Sequence, residues 1–211
     1  MKKYISKLHY ITHDIAGRSH VEQVRMACEA GANWVQYRCF SKPEAELIDE
    51  AQMISEICDE WGATLIITDH YQLLGKADIQ GVHIEDMRAD FRAIRQEIGP
   101  DKTLGASANT FDDIRAIIMS GVVDYAGCGP FSVTTTKPND YPLLGTDGYR
   151  SIVDEMKKAE LSIPLLAVGG ITLADVEPLL STGIHGIAVA SAINDAAHPA
   201  AALKEIYRKI Y

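Results

Sequence analysis

The residues able to do chemistry recur at intervals along the chain rather than in one block. They are His13 and Asp14, Gln36 and Arg38, Thr68 and Asp69, His83 and Ser107, followed by the loop after Gly129, Gly169-Gly170 and Ala190-Ser191. Most are hydrogen-bond donors, with a few acids among them. No Ser-His-Asp order and no lysine at a strand end suggests covalent catalysis. Gly169-Gly-Ile-Thr172 has the composition of an anion cradle, because glycines let backbone amides approach a phosphate and a following helix adds partial positive charge. Gly186-Ile-Ala-Val-Ala-Ser191 ends in small residues, with amides and a hydroxyl on offer. Glycines that merely make turns would look the same. The stretch Gly129-Pro-Phe-Ser-Val-Thr-Thr-Thr-Lys-Pro138 offers hydroxyls and one cation, or is a solvated loop. Arg38 has the fixed donors that suit a multiply charged phosphate, or pairs with a loop acid. Asp69 amid such groups invites Mg²⁺, or caps a helix.

These residues need elements to carry them, and the chain supplies an alternation. Short runs rich in β-branched or small residues fall at 9–12, 34–38, 64–69, 81–84, 103–107, 124–129, 164–169 and 186–190. Amphipathic segments lie between them. The spacing predicts a helix over 43–61, where Ala45, Leu47, Ile48, Ala51, Ile54 and Ile57 form one apolar stripe. A second is expected over 110–120, opened by Thr110, and a third over 172–180, where Thr172 and Asp175 resemble a capping box. Strands alternating with helices demand a parallel sheet covered by helices. An open doubly wound sheet lacks support, since no GxGxxG follows the first strand and polar residues stand at most strand ends. The expected fold is therefore α/β, a single-domain (β/α)8 TIM barrel over 1–211. In such a barrel the C-terminal strand ends meet at one mouth, with a phosphate site after strands seven and eight as a recurrent feature.

Bulk properties narrow the function. At 211 residues with 47% hydrophobic and 23% charged residues the chain can bury a sizeable core. Its net charge of −9 argues against a nucleic-acid partner and makes any anion site a local exception. No segment reaches the ~20 apolar residues of a membrane span, and no signal-peptide run follows Met1. Cys28, Cys39, Cys58 and Cys128 form no CxxC pair and read as reduced thiols, so a soluble cytoplasmic protein is expected.

The ordered set Gln36-x-Arg38, Asp69, Gly81-Val-His83, Gly105-x-Ser107, Gly129-Pro130, Thr134-x-Thr136-Lys137, Gly169-Gly-Ile171 and Ala190-Ser191 resembles the thiamine-phosphate synthase family over essentially the whole chain. The resemblance implies a (β/α)8 barrel transferase. It would join 4-amino-5-hydroxymethyl-2-methylpyrimidine diphosphate to hydroxyethylthiazole phosphate, with Mg²⁺ assisting departure of pyrophosphate by a dissociative mechanism. Carried over residue by residue, Gln36 and Arg38 look like pyrimidine-diphosphate ligands, with Thr68 where the family has asparagine. Ser107 and Lys137 look like diphosphate contacts and, with Arg38, the catalytic set. Thr134, Thr136 and the amides of Gly170, Ala190 and Ser191 look like contacts to the thiazole phosphate. Asp69 looks like one Mg²⁺ ligand. The family's second metal carboxylate falls at Arg88 here, leaving Asp86, or Glu85, as its replacement. Cys39-Phe40 stands where a lysine is usual, with Lys42 as a displaced substitute. A thiazole tautomerase and a non-catalytic binder of thiamine phosphates are the rival readings. Family members are often oligomeric, so self-association stays open.

Overall fold

The computed structural model describes residues 3–134 and 141–211, and the short apolar runs are its strands. They are β1 (Leu8–Ile11), β2 (Trp34–Tyr37), β3 (Thr64–Thr68), β4 (Gly81–Ile84), β5 (Thr103–Ala108), β6 (Tyr125–Cys128), β7 (Leu165–Val168) and β8 (Gly186–Val189). Each pairs in parallel with its sequence neighbour, and β8 returns to β1 with Leu8 opposite Ile187 and Tyr10 opposite Val189. The result is a closed (β/α)8 barrel, as the alternation predicts.

Successive side chains on a strand point to opposite faces, which splits each strand between two cores. Tyr10, Val35, Tyr37, Leu65, Ile67 and Val82 pack outward beneath the helices. Trp34, Ile66, Tyr125 and Leu166 form a separate cluster inside the barrel, where His9 stacks on Trp34 with ring centroids 4.5 Å apart. Glycine makes room for the large rings: a Cβ on Gly105 would lie 2.2 Å from Tyr125 Cζ. One inward step nearer the mouth, the same parity carries Gln36, Thr68, His83 and Ser107. Arg38, Glu85 and Asn109 follow two residues later.

The covering helices are α1 (His20–Glu29), α2 (Glu44–Trp61), α3 (Phe91–Ile98), α4 (Phe111–Ser120), α5 (Gly145–Lys158), α6 (Val176–Leu180), α7 (Ser191–Asn194) and α8 (Pro199–Ile210). The expected starts at 110 and 172 hold. Asp113 N donates to Thr110 Oγ1 at 3.2 Å while Thr110 N donates to Asp113 Oδ2 at 2.8 Å, and Thr172 N donates to Asp175 Oδ2 at 2.8 Å. The segment after Thr172 is not one helix, however: a 3₁₀ turn at Leu173–Asp175 precedes α6. Pro178 has no N–H to give the carbonyl four residues back, so it fits the first turn of a helix that starts at Val176 but not the interior of one running unbroken from Thr172. After β3, where Asp69 could have capped a helix, the chain makes only a 3₁₀ turn, Tyr71–Leu73. No described helix is long and apolar enough to cross a membrane.

Candidate active site

A cavity of about 260 Å³ opens at the C-terminal mouth of the barrel. Gln36, Arg38, Ser107, Thr134, Gly170, Ala190 and Ser191 all line it, together with His9, His83, Glu85 and Asn109. Residues from seven of the eight strands and their following loops thus converge because strand parity and the parallel topology both aim them there. Thr136 and Lys137 lie outside the described residues.

Arg38 dominates the electrostatics. Its side chain is buried, and among the described residues its Nη2 has no hydrogen-bond partner and it is the one permanent cation in the cavity wall. Burial pulls its pKa down from the ordinary value, opposed by the carboxylates of Glu85 and Asp14. Its backbone N–H is anchored on Thr12 Oγ1 at 3.0 Å. Phe40, where the family resemblance leads one to look for lysine, is exposed and sets its ring centroid 5.7 Å from Arg38 Cζ. The aromatic face therefore supports the guanidinium instead of adding a second charge. Lys42 does not take the missing role, because its Nζ is paired with Glu50 Oε2 at 2.9 Å, an oxygen that Tyr37 Oη also holds at 2.6 Å.

The neutral groups are held from behind. Gln36 Nε2 donates to Thr68 Oγ1 at 2.9 Å, so Thr68 orients Gln36 and is not itself in the cavity wall. Ser107 Oγ lies 3.0 Å from His83 Nε2, and His83 Nδ1 lies 3.1 Å from Tyr125 Oη. This chain from the barrel core to the cavity was not evident beforehand. Its only sequence signal is that His83, Ser107 and Tyr125 all occupy inward positions. Across the mouth, Gly169 and Gly170 have positive φ of 89° and 67°. A Cβ on Gly170 would lie 2.4 Å from Ser132 Oγ, which donates to Gly170 O at 2.7 Å. Glycine is required here by the close approach of the β6–α5 loop, whatever else its amide does.

The carboxylates divide unequally. Asp69, in the left-handed region at φ 60°, accepts from Glu85 N at 2.7 Å through Oδ1. It sits half-buried behind the wall, whereas Glu85 lines the cavity. Asp86 is exposed outside the cavity, with Oδ1 accepting from Arg88 N at 2.9 Å. Hard oxygen donors on Asp69 and Glu85 suit Mg²⁺ in type.

His13 and Asp14 do not join the mouth, contrary to expectation. His13 Nδ1 meets Asn194 Nδ2 at 3.0 Å, and Asp14 turns toward the β2–α2 loop, accepting from Ser41 Oγ at 2.5 Å and Phe40 N at 3.0 Å. Partial burial would raise the Asp14 carboxyl, but donors on Ser41, Phe40, His20 and Cys39 outweigh it and hold the group well below the usual carboxylate range.

Comparison with known proteins places this geometry. Residues 8–193 match the family described as thiamine monophosphate synthase. The thiamine-phosphate synthase of Phocaeicola vulgatus is 40% identical over 95% of this chain and 96% of its own length. That of Flavobacterium johnsoniae is 36% identical over 98% and 97%. Among solved structures, thiamine phosphate pyrophosphorylase from Pyrococcus furiosus superposes with a TM-score of 0.83 at 28% identity, covering 97% of this chain and 95% of that one.

Proposed function

The chain belongs to the thiamine monophosphate synthase family, and from that membership we propose that it joins 4-amino-5-hydroxymethyl-2-methylpyrimidine diphosphate to hydroxyethylthiazole phosphate, releasing pyrophosphate. It is a transferase. The observation that carries the substrate reading is Arg38: a buried guanidinium with an unpartnered Nη2, in a cavity of a protein with net charge −9. Such a group is costly to bury unless an anion completes it.

In the proposed reaction the C–O bond between the pyrimidine methylene and the diphosphate breaks, and its electron pair leaves with the diphosphate. The ring amino group stabilises the resulting cation, and the thiazole nitrogen lone pair closes the new C–N bond. No proton has to move through the protein. The chain's work is then to hold the leaving charge and align the two rings. Arg38 and Ser107 face the diphosphate, with Ser107 Oγ held by His83. Gln36, fixed by Thr68, orients the pyrimidine. Thr134 and the backbone of Gly170, Ala190 and Ser191 line the same cavity and suit the thiazole phosphate. Thr136 and Lys137 keep the roles the family resemblance implies. Mg²⁺ would be held by Asp69 with Glu85, which the cavity position favours over Asp86, and when bound it neutralises charge on the departing diphosphate. Four free, buried cysteines accord with a reducing cytoplasm for this activity.

The test is to supply both substrates with Mg²⁺ and follow pyrophosphate and thiamine phosphate. Equimolar appearance of both is expected. The hydrogen-bonded His83 is the one observation that would suit a proton-shuttling thiazole tautomerase instead. Isomerisation of the thiazole phosphate alone, or saturable binding without either product, would overturn the proposal.

A further inference from the structure

Beside the barrel mouth, outside the substrate cavity, three donors of different chemistry meet. Asp14 follows β1, His20 begins α1, and Cys39 follows β2. Asp14 Oδ1 lies 3.3 Å from His20 Nε2 and 3.4 Å from Cys39 Sγ, and one ligand atom from each residue falls within 4.8 Å of the others. Among the described residues this is the one such grouping of three. None of the three lines the cavity that holds Arg38.

We propose that Asp14, His20 and Cys39 bind a divalent transition-metal ion of the zinc or cobalt kind. The proposal is independent of the substrate reading above. A tetrahedral ion with bonds of ~2.0 Å to nitrogen and oxygen and ~2.3 Å to sulfur requires N–O and S–O separations of about 3.3 and 3.5 Å. The cluster already has them. Its chemistry also selects the ion, since thiolate with imidazole prefers zinc-like metals to Mg²⁺. On binding, the Cys39 thiol gives its proton to water, and the imidazole keeps its proton on Nδ1, 2.8 Å from Thr12 Oγ1, leaving the Nε2 lone pair for the metal. Carboxylate plus thiolate cancel the ion's charge, so two ligands that are themselves buried, His20 and Cys39, need not hold a net charge. An open groove of about 530 Å³, bordered by Asp14, His20, Ser41 and Lys42, supplies a route in and a place for water as the fourth ligand.

Such an ion would clip the β1–α1 loop to the β2–α2 loop. Thr12 Oγ1 joins His20 to the backbone N–H of Arg38, so the clip would stiffen the strand end that carries the cavity's cation. It is a positioning site, distinct from any magnesium site at Asp69.

The experiment uses the full chain, freed of metal by a chelator and titrated with Co²⁺ and then Zn²⁺ in excess Mg²⁺. Expected is a thiolate-to-cobalt charge-transfer absorption that saturates at one ion per chain and is displaced by Zn²⁺. Cys39→Ser should abolish that band and weaken Zn²⁺ binding at least tenfold. Cobalt binding without the sulfur band, or a band that survives Cys39→Ser, overturns the proposal. Should the variant not fold, the unaltered protein decides: one equivalent of Zn²⁺ must slow alkylation of Cys39, mapped by mass spectrometry, at least tenfold. An unchanged rate refutes the site.

Discussion

Arg38 is where the physics of single residues bears hardest on function, because a buried cation in an acidic protein needs an anion, and among the described residues its Nη2 has no hydrogen-bond partner. Replacing it with glutamine should lower kcat/KM by about 10²–10³, the usual effect of removing one preorganised donor from a site where charge develops. Arg38→Lys should recover only part of this, since an ammonium lacks the planar fork. Steady-state kinetics with the pyrimidine diphosphate as varied substrate checks both. Ser107→Ala should be milder, roughly fivefold, because one neutral hydrogen bond contributes about 1 kcal/mol. Arg38, Gln36 and Ser107 were legible as residues of the barrel mouth because strand-end polar positions are few. Glu85 and Asp86 were not separable in advance. Adjacent residues in a loop share composition and spacing, and only the path of the backbone decides which one faces inward.

At the scale of elements, the strands work as pairs of faces. Gly105 on β5 exists to admit the Tyr125 ring from β6, and Tyr125 in turn positions His83 against Ser107. Gly105→Ala should therefore cost about 1–3 kcal/mol of stability by overpacking and also depress activity. Denaturant unfolding and kinetics on the same preparation measure the two effects, and a stable variant with normal activity would contradict this linkage. The α4 cap gives a simpler case. Thr110→Ala removes the hydroxyl that Asp113 N donates to, and a loss of about 1 kcal/mol is expected in the unfolding midpoint. This cap could be read from the chain, since capping residues act within one turn. The broken helix before α6 was missed although Pro178 was in plain view, because the apolar stripe runs on through both segments.

For the molecule as a whole, the closed barrel encloses groups it cannot easily hydrate. His9 is fully buried among Trp34 and Tyr125, and among the described residues neither ring nitrogen has a hydrogen-bond partner of ordinary geometry. Burial, reinforced by His83 and His185, holds its pKa well below 6.5. A histidine whose folded pKa is depressed contributes stability that is present above its unfolded value and lost as pH falls through the folded one. Stability should accordingly decline as pH drops below 6.5, with this residue adding up to ~1.4 kcal/mol per pH unit for its single proton. His9→Phe should flatten the profile by that amount in thermal unfolding measured across pH; an unaltered slope would show that His9 is not the titrating group.

The order of strands and helices, the barrel they close and part of the cavity lining, Gln36, Arg38, Ser107, Gly170 and Ser191, were implicit in the chain, because periodicity and strand-end polarity are local properties that topology converts directly into position. What depended on three-dimensional packing was direction. Thr68 stands behind Gln36, Lys42 is taken by Glu50, Glu85 and not Asp86 enters the cavity, and Asp14 turns from the mouth to meet His20 and Cys39. Each of these outcomes is a competition among partners brought together from distant segments, and such competitions are settled by distances that no spacing along one chain encodes.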